Sequence, residues 1–551
     1  MKRNYLLLIM ALVTVFANAA ERSEQTLREI AGNVLNLRTN GARVIGEDPS
    51  LKIMHEYNGI AFVGSEGRGF AVLAIDDAFE PVLGYAFGDF DKNNINPNMQ
   101  WWMECTAKAM ARGITRAEGD VIPEGLPQEV ESFVTTHWSQ DTPYNNLCPS
   151  YTSGNSTKKY PSGCVATAMS QAMNYYKYPE YGTSTRLYRF RPSENEPEQT
   201  VKVVLDDIIF DWNNMLDDYL SSQYNDAQAN AVAELMQACG ASVEMTYTAS
   251  GSGAYTYLAC MAMRNYFGYD KGLPFYSRFG VSYDEFSREI YSNLAQKRPI
   301  VFSGAGTSGG HAFVFDGYDA DGNVHVNWGW GTKGGDGYFN ISLMNGFDQQ
   351  QGFYPLTKDG TYNKVMPIAC IYEGGLSVSK VDNTHLKVTT NGSRLLNIDC
   401  ETYKGDVYVV AMNMETGESK VIATETVGST IAVLYYFGQN GINKSYITIK
   451  NKIGDGNYRV FLALKGENED DFSPVRCVEG YTNSYIMEVA DGVIVDVMPD
   501  DDPAWMSSTT AIRDIKADVT PASGKTYTLD GKEAPKSYRG VVVKNGKKVM
   551  Q

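Results

Sequence analysis

Residues 161–179 read Pro-Ser-Gly-Cys-Val-Ala-Thr-Ala-Met-Ser-Gln-Ala-Met-Asn-Tyr-Tyr-Lys-Tyr-Pro. After the Gly163-Cys164 step, apolar side chains fall at Val165, Ala168, Met169, Ala172, Met173 and Tyr176. That spacing predicts a helix burying one face. Pro179 cannot continue it, so the helix stops there. About 14 residues at the standard rise give about 21 Å, enough to pass through the middle of a domain. Cys164 falls in the first turn, where unpaired backbone N–H groups and the helix dipole favour a thiolate. A cysteine so placed is either a reactive nucleophile or a small buried hydrophobe.

A second stretch decides between the two. Gly309-Gly310-His311-Ala312-Phe313-Val314-Phe315-Asp316-Gly317-Tyr318 reads as a strand that starts near a histidine. Asp319-Ala320-Asp321-Gly322-Asn323 supplies a hairpin turn, and Val324-His325-Val326-Asn327-Trp328-Gly329-Trp330-Gly331 is the returning arm. His311 follows Cys164 by 311 − 164 = 147 residues, within the roughly 130–150 that separate the two in papain-type sequences. Asn327 follows His311 by 327 − 311 = 16.

With Trp138-Ser139-Gln140-Asp141-Thr142-Pro143-Tyr144-Asn145 upstream, these motifs make four ordered matches. Together they resemble the streptopain-like cysteine peptidases, over roughly residues 60–345. The resemblance implies an α+β chain: a papain-like peptidase domain, an N-terminal α+β prodomain, and further C-terminal elements. It implies Cys164 as nucleophile, His311 as its acid–base partner and Gln140 as oxyanion donor. Asn327 would accept a hydrogen bond from the second imidazole nitrogen, and Trp328 would shield that contact. It also implies substrate contacts at Gly310 and at Ser252, although a one-residue shorter loop leaves Ser250 open for that role. No metal and no cofactor is expected. His137 lacks the glycine-strand setting of His311 and reads as a solvated histidine.

Composition bounds the remaining options. The 551 residues suggest several domains, and 43% hydrophobic content supplies their cores. A formal net charge of −17 argues against nucleic acid or an anionic membrane as partner. Lys2 and Arg3, an apolar run from Tyr5 to Phe16 and Ala17-Asn18-Ala19 read as a signal peptide over 1–19, so a secreted or cell-surface protein is expected. The eight cysteines are thinly spread with no C-x-x-C pair, which removes a structural zinc site. Mostly buried thiols are expected.

Residues 20–125 read as an inhibitory propeptide. It opens on a helix carrying Leu27, Ile30, Ala31, Val34 and Leu35 on one face, followed by strands at Gly69–Asp77 and Pro81–Tyr85 and a helix with Trp101, Trp102, Cys105 and Met110. The processing linker is placed at Gly113–Asp120. The peptidase domain spans 126–372, with a second amphipathic helix over 225–239 and helical sequence over 255–300. Glycines at 329, 331, 334, 335 and 337 make either a flap over the cleft or a wide turn. Alternating strands over 373–500 suggest an immunoglobulin-like β-sandwich. Residues 501–551 carry a linker and a basic β tail similar to C-terminal sorting modules, which would engage cell-surface or secretion machinery.

The expected function is a zymogen of a secreted cysteine endopeptidase acting on protein or peptide substrates, its own propeptide serving as inhibitor. Rivals are a papain-fold acyl transferase, a cell-wall peptidase, and an adhesin with a vestigial peptidase fold.

Overall fold

The computed structural model describes residues 20–40, 48–113, 122–220, 223–278, 283–306, 309–341, 351–358, 369–372, 374–399, 401–433, 435–438, 441–466, 472–477, 480–502 and 505, with short strands at 526–528, 541–544 and 547–550. The expected signal peptide and nearly all of the processing linker lie outside the described residues. The chain divides into two compact units, one comprising 1–273 with 283–360, the other 274–282 with 361–551.

In the first unit α1 (Glu24–Asn40) buries Leu27, Ala31 and Leu35 against a meander of β1 (Lys52–Tyr57), β2 (Ile60–Ser65), β3 (Gly69–Ala74) and β4 (Val82–Ala86). The Arg22 guanidinium donates to the carbonyls of Ala74, Asp76 and Phe79, fastening the start of α1 to the loop after β3. Helix α2 (Pro97–Ala111) starts on an Asn96 cap, whose side-chain oxygen accepts from the Met99 N–H at 2.8 Å, with Pro97 at the first position. Trp101, Trp102, Cys105 and Met110 are buried, as their spacing predicts.

The peptidase part is built around α3 (Cys164–Tyr176), ended by Lys177 in the left-handed region at φ 49°. Helix α4 (Asp226–Ser242) packs against α3, starts on an Asn225/Gln228 capping box and buries Val232, Leu235, Met236 and Cys239. It runs three residues beyond the expected end. The sequence expected to be helical over 255–300 divides into α5 (Thr256–Asn265) and α6 (Tyr283–Ala295).

Strands β5 (Ile300–Gly306), β6 (Gly309–Tyr318), β7 (Val324–Asn327), β8 (Gly337–Phe339) and β9 (Gly352–Pro355) form an antiparallel sheet, and α3 packs on β6. Sequence periodicity gave no hint that β1–β4 continue the same sheet. The strand order is β1-β2-β3-β4-β8-β7-β6-β5-β9, joined through Gly84 opposite Phe339 and Tyr85 opposite Tyr338. At Gly84 a Cβ would come within 2.5 Å of the Phe339 ring, so only glycine allows this seam.

The second unit holds strands at Gly405–Asn413, Ser419–Glu425, Gly456–Gly466, Ser484–Ala490 and Val493–Pro499 in one sheet, and Ser377–Asp382, His385–Thr389 and Asn443–Thr448 in another. Both contribute to a shared core that includes Val378, Leu386, Val409, Leu462 and Met487. The short strands after 525 form their own antiparallel sheet. Among the described cysteines, Cys105, Cys148, Cys239, Cys260 and Cys370 are buried, and Cys164 and Cys477 are partly exposed. Also among the described residues, no acidic, cysteine and histidine cluster could hold a metal, and no helix is long and apolar enough to cross a membrane.

Candidate active site

Cys164 opens α3 because Gly163 before it takes φ 92° and ψ 143°, a backbone shape that side chains disfavour. A Cβ on Gly163 would also lie 2.8 Å from the Met245 sulfur and 2.9 Å from the Ser252 carbonyl oxygen. The glycine therefore lets the wall formed by residues 245–252 close on Cys164. From the sheet side, where α3 packs on β6, the backbone N–H of Ala312 favours the charged form of the Cys164 sulfur. The helix end and the His311 strand thus meet, although Cys164 and His311 are 147 positions apart in sequence.

Burial raises the Cys164 thiol above its ordinary value, and the N–H groups of Ala312, Val165 and Cys164 only partly oppose it. Burial likewise lowers the His311 imidazole to about 4. Helix-terminus and charge-pair arguments alone predict a lowered thiol; desolvation wins here. Both directions favour the neutral thiol and the neutral imidazole over the attacking ion pair.

A side chain that the sequence reading missed engages the histidine. Asn98, in the first turn of α2, donates through Nδ2 to the carbonyls of Ala312 (3.1 Å) and Trp328 (2.7 Å). Those two bonds fix which end of the carboxamide is oxygen, and Asn98 Oδ1 lies 3.1 Å from His311 Nδ1. The imidazole therefore donates from Nδ1 to Asn98. The Trp101 ring flanks it, 6.4 Å between centroids, in space that a side chain at position 304 would fill. Trp102 donates its indole N–H to the Asn340 carbonyl, and Asn96 donates to the Gly334 carbonyl. An Asn-Pro-Asn helix start was the available signal, but it reads as a cap and nothing more.

Asn327 departs from expectation in the same way. Its Oδ1 accepts from Gln171 Nε2 (3.0 Å) and the Gly329 N–H (3.1 Å), while Nδ2 donates to the Thr136 carbonyl (2.6 Å). The imidazole bond expected at Asn327 is occupied by Asn98 instead. Trp328 is fully buried and packs edge-on against Phe313 and Phe339. Gln140 is buried, and its carbonyl accepts from the Ser162 N–H at 2.9 Å, two residues before Cys164. Ser252 is buried beside Gly163, with its hydroxyl lacking a hydrogen-bond partner, whereas Ser250 sits exposed against Thr248. Gly310 is exposed with open space where a Cβ would be. His137 is not merely solvated: its Nδ1 pairs with Asp336 at 2.9 Å, which raises its pKa. Asp336 also accepts from the Trp328 N–H. The glycines after Trp328 make a packed wide turn, in which Gly331 donates to the Trp138 carbonyl and Gly334 to the Gly331 carbonyl.

A model of the peptidase C10 family matches residues 138–339, from the Trp138 segment to the end of β8. Streptopain of Streptococcus pyogenes is 31% identical over 290 residues, covering 50% of this chain and 72% of that protein. The chain belongs to the peptidase C10 family. It is a cysteine peptidase. A second C10 relative, the thiol protease/hemagglutinin PrtT of Porphyromonas gingivalis, is 29% identical over 359 residues; these cover 62% of this chain and 40% of that protein's length. Among solved structures, a fragment of Prevotella intermedia prointerpain A superposes with a TM-score of 0.50 at 31% identity, covering 57% of this chain and 99% of the fragment. The C10 resemblance therefore extends through the prodomain as well as the peptidase, in agreement with the continuous sheet.

Proposed function

We propose that the chain is the latent precursor of an exported cysteine endopeptidase, with Cys164 as nucleophile and His311 as acid and base. The observation that carries this reading is the Ala312 N–H favouring the charged Cys164 sulfur, because it sets the nucleophile's helix end directly against the histidine strand.

In the mature enzyme His311 takes the thiol proton, and the thiolate attacks the scissile carbonyl carbon, forming a C–S bond. The resulting oxyanion accepts from Gln140 and from the Cys164 N–H; one such donor contributes about 2.7–4 kcal/mol. His311 then protonates the departing amine as the C–N bond breaks. Water loses a proton to His311, attacks the thioester, and releases the acid with the thiol restored. Asn327 orients the imidazole, Trp328 keeps water from that contact, and Gly310 with Ser252 borders the substrate backbone.

In the precursor, Asn98 engages the imidazole, Trp101 flanks it, and burial disfavours its charged form. Cleavage within the linker after α2 frees the prodomain and restores the pair. Export rests on the charged and apolar pattern of residues 1–19, and attachment to surface machinery on the basic tail.

The test is Cys164→Ala in the full-length chain. The variant should stay uncut and leave casein intact, while processed wild type degrades it to peptides with free carboxyl termini. Casein degradation by the variant would remove Cys164 as nucleophile; transfer products without hydrolysis would make the enzyme an acyl transferase.

A further inference from the structure

Gln171 lies seven residues beyond Cys164 on α3, two turns along and on nearly the same face, and it is fully buried. Ala168 and Ala172 beside it are ordinary apolar packing. A buried carboxamide costs stability unless its polar atoms are paired, and this one is paired at both ends with separate parts of the site. Its Oε1 accepts from the Trp138 N–H at 3.0 Å, and its Nε2 donates to Asn327 Oδ1 at 3.0 Å.

Those two partners lead to different catalytic groups. From Trp138 the chain runs two residues to Gln140, whose carbonyl is held by the Ser162 N–H, just before Cys164. On the other side, Asn327 returns to the same segment through Nδ2 and the Thr136 carbonyl. Thr136–Trp138 is thus gripped at one end by Asn327 and at the other by Gln171. Nucleophile helix, oxyanion segment and Asn327 form one closed hydrogen-bonded circuit, and Gln171 is the residue that touches both of the others. We propose that Gln171 is a positioning residue of the peptidase reaction, setting the Asn327 carboxamide and the Gln140 segment from the nucleophile's own helix.

The inference rests on the roles given above to Asn327 and Gln140. It adds that the geometry exists before activation. In the precursor His311 is engaged by Asn98 while Asn327 is already clamped by Gln171, so the Asn327 carboxamide and the Gln140 segment are set before the prodomain leaves.

The experiment uses the full-length chain, processed and titrated with a thiol-directed inhibitor so that rates refer to active enzyme. Gln171→Met removes both hydrogen bonds at similar length. Gln171→Glu keeps an acceptor for Trp138 and loses the donor to Asn327. Supporting orienting groups of this kind are typically worth about 10- to 100-fold in activity. Each variant should lower kcat by about that factor while KM changes less than about threefold. In an Asn327→Ala background, Gln171→Met should cost less than about threefold more, because the partner it acts through is gone. An equal loss with and without Asn327, or a full kcat per titrated site in both variants, overturns the proposal and leaves Gln171 as packing. Should Asn327→Ala alone leave kcat unchanged, the role of Asn327 falls with it, whereas Cys164→Ala still decides the nucleophile separately.

Discussion

Asn98 and His311, 213 residues apart in sequence, meet with Asn98 Oδ1 3.1 Å from the imidazole Nδ1. The same carboxamide spans the carbonyls of Ala312 on β6 and of Trp328 just past the end of β7. One prodomain side chain therefore occupies the histidine and two backbone carbonyls.

Replacing Asn98 with alanine should weaken the latch. Two buried carbonyls would lose a donor, a cost of about 1–3 kcal/mol to the precursor. Self-processing, followed by loss of the full-length band, should speed up about tenfold or more, and Cys164 should label faster with a thiol reagent. An Asn98→Ala precursor as slow and unreactive as wild type would show that the rest of α2 suffices.

The latch should also respond to acid. Burial holds His311 at about 4 against an ordinary 6.5, so the released state binds more protons between those values. Stability of the latched state is complete above pH 6.5 and declines as pH falls toward 4. Over that window the loss approaches about 3 kcal/mol at 1.36 kcal/mol per unit. Hydrogen exchange across α2 in the uncut Cys164→Ala precursor reads this directly. Protection should fall on acidification through that range, and a flat profile would remove the coupling.

Gly163→Ala should damage the nucleophile's setting. The residue combines φ 92° with neighbours 2.8 and 2.9 Å from a would-be Cβ, and Met245 or Ser252 must shift to admit a methyl. A cost of about 1–3 kcal/mol is expected for the backbone alone. Thermal unfolding and titrated activity should both drop, and an unchanged Tm would show that the wall yields freely.

His137 has a raised pKa from its hydrogen bond to Asp336. Its contribution is present below the ordinary 6.5 and is lost as pH rises through the raised value. Because the side chain is more than a third exposed, the effect is small. His137→Gln should lower Tm slightly on the acid side, where the pair contributes, and flatten the decline as pH rises above 6.5. An identical Tm–pH curve for both proteins would leave the pair without energetic weight.

Sequence periodicity was enough to locate α3, the His311 hairpin and α2, because each buries a stripe of apolar side chains that repeats at the element's own period. Gly163 stood out through its neighbour Cys164, but its reason, the approach of Met245 and Ser252, needs coordinates. The seam between β4 and β8 was invisible, since strand pairing across more than 250 residues leaves no local pattern. Asn98 and Gln171 were also hidden. A single amide in a helix reads as a cap or a tolerated polar residue until its partners are known. The direction of the Cys164 shift was misjudged because exposure to solvent, which decides between dipole and desolvation, is a tertiary property.

The Gly84–Phe339 seam carries a liability into maturity. When the prodomain departs, the outer backbone groups of Gly337–Phe339 become a raw β edge, able to dock any extended chain that offers matching amides. Its three-residue length is the protection, too brief a template for self-association, and under the proposed maturation the prodomain covers this border until it is released.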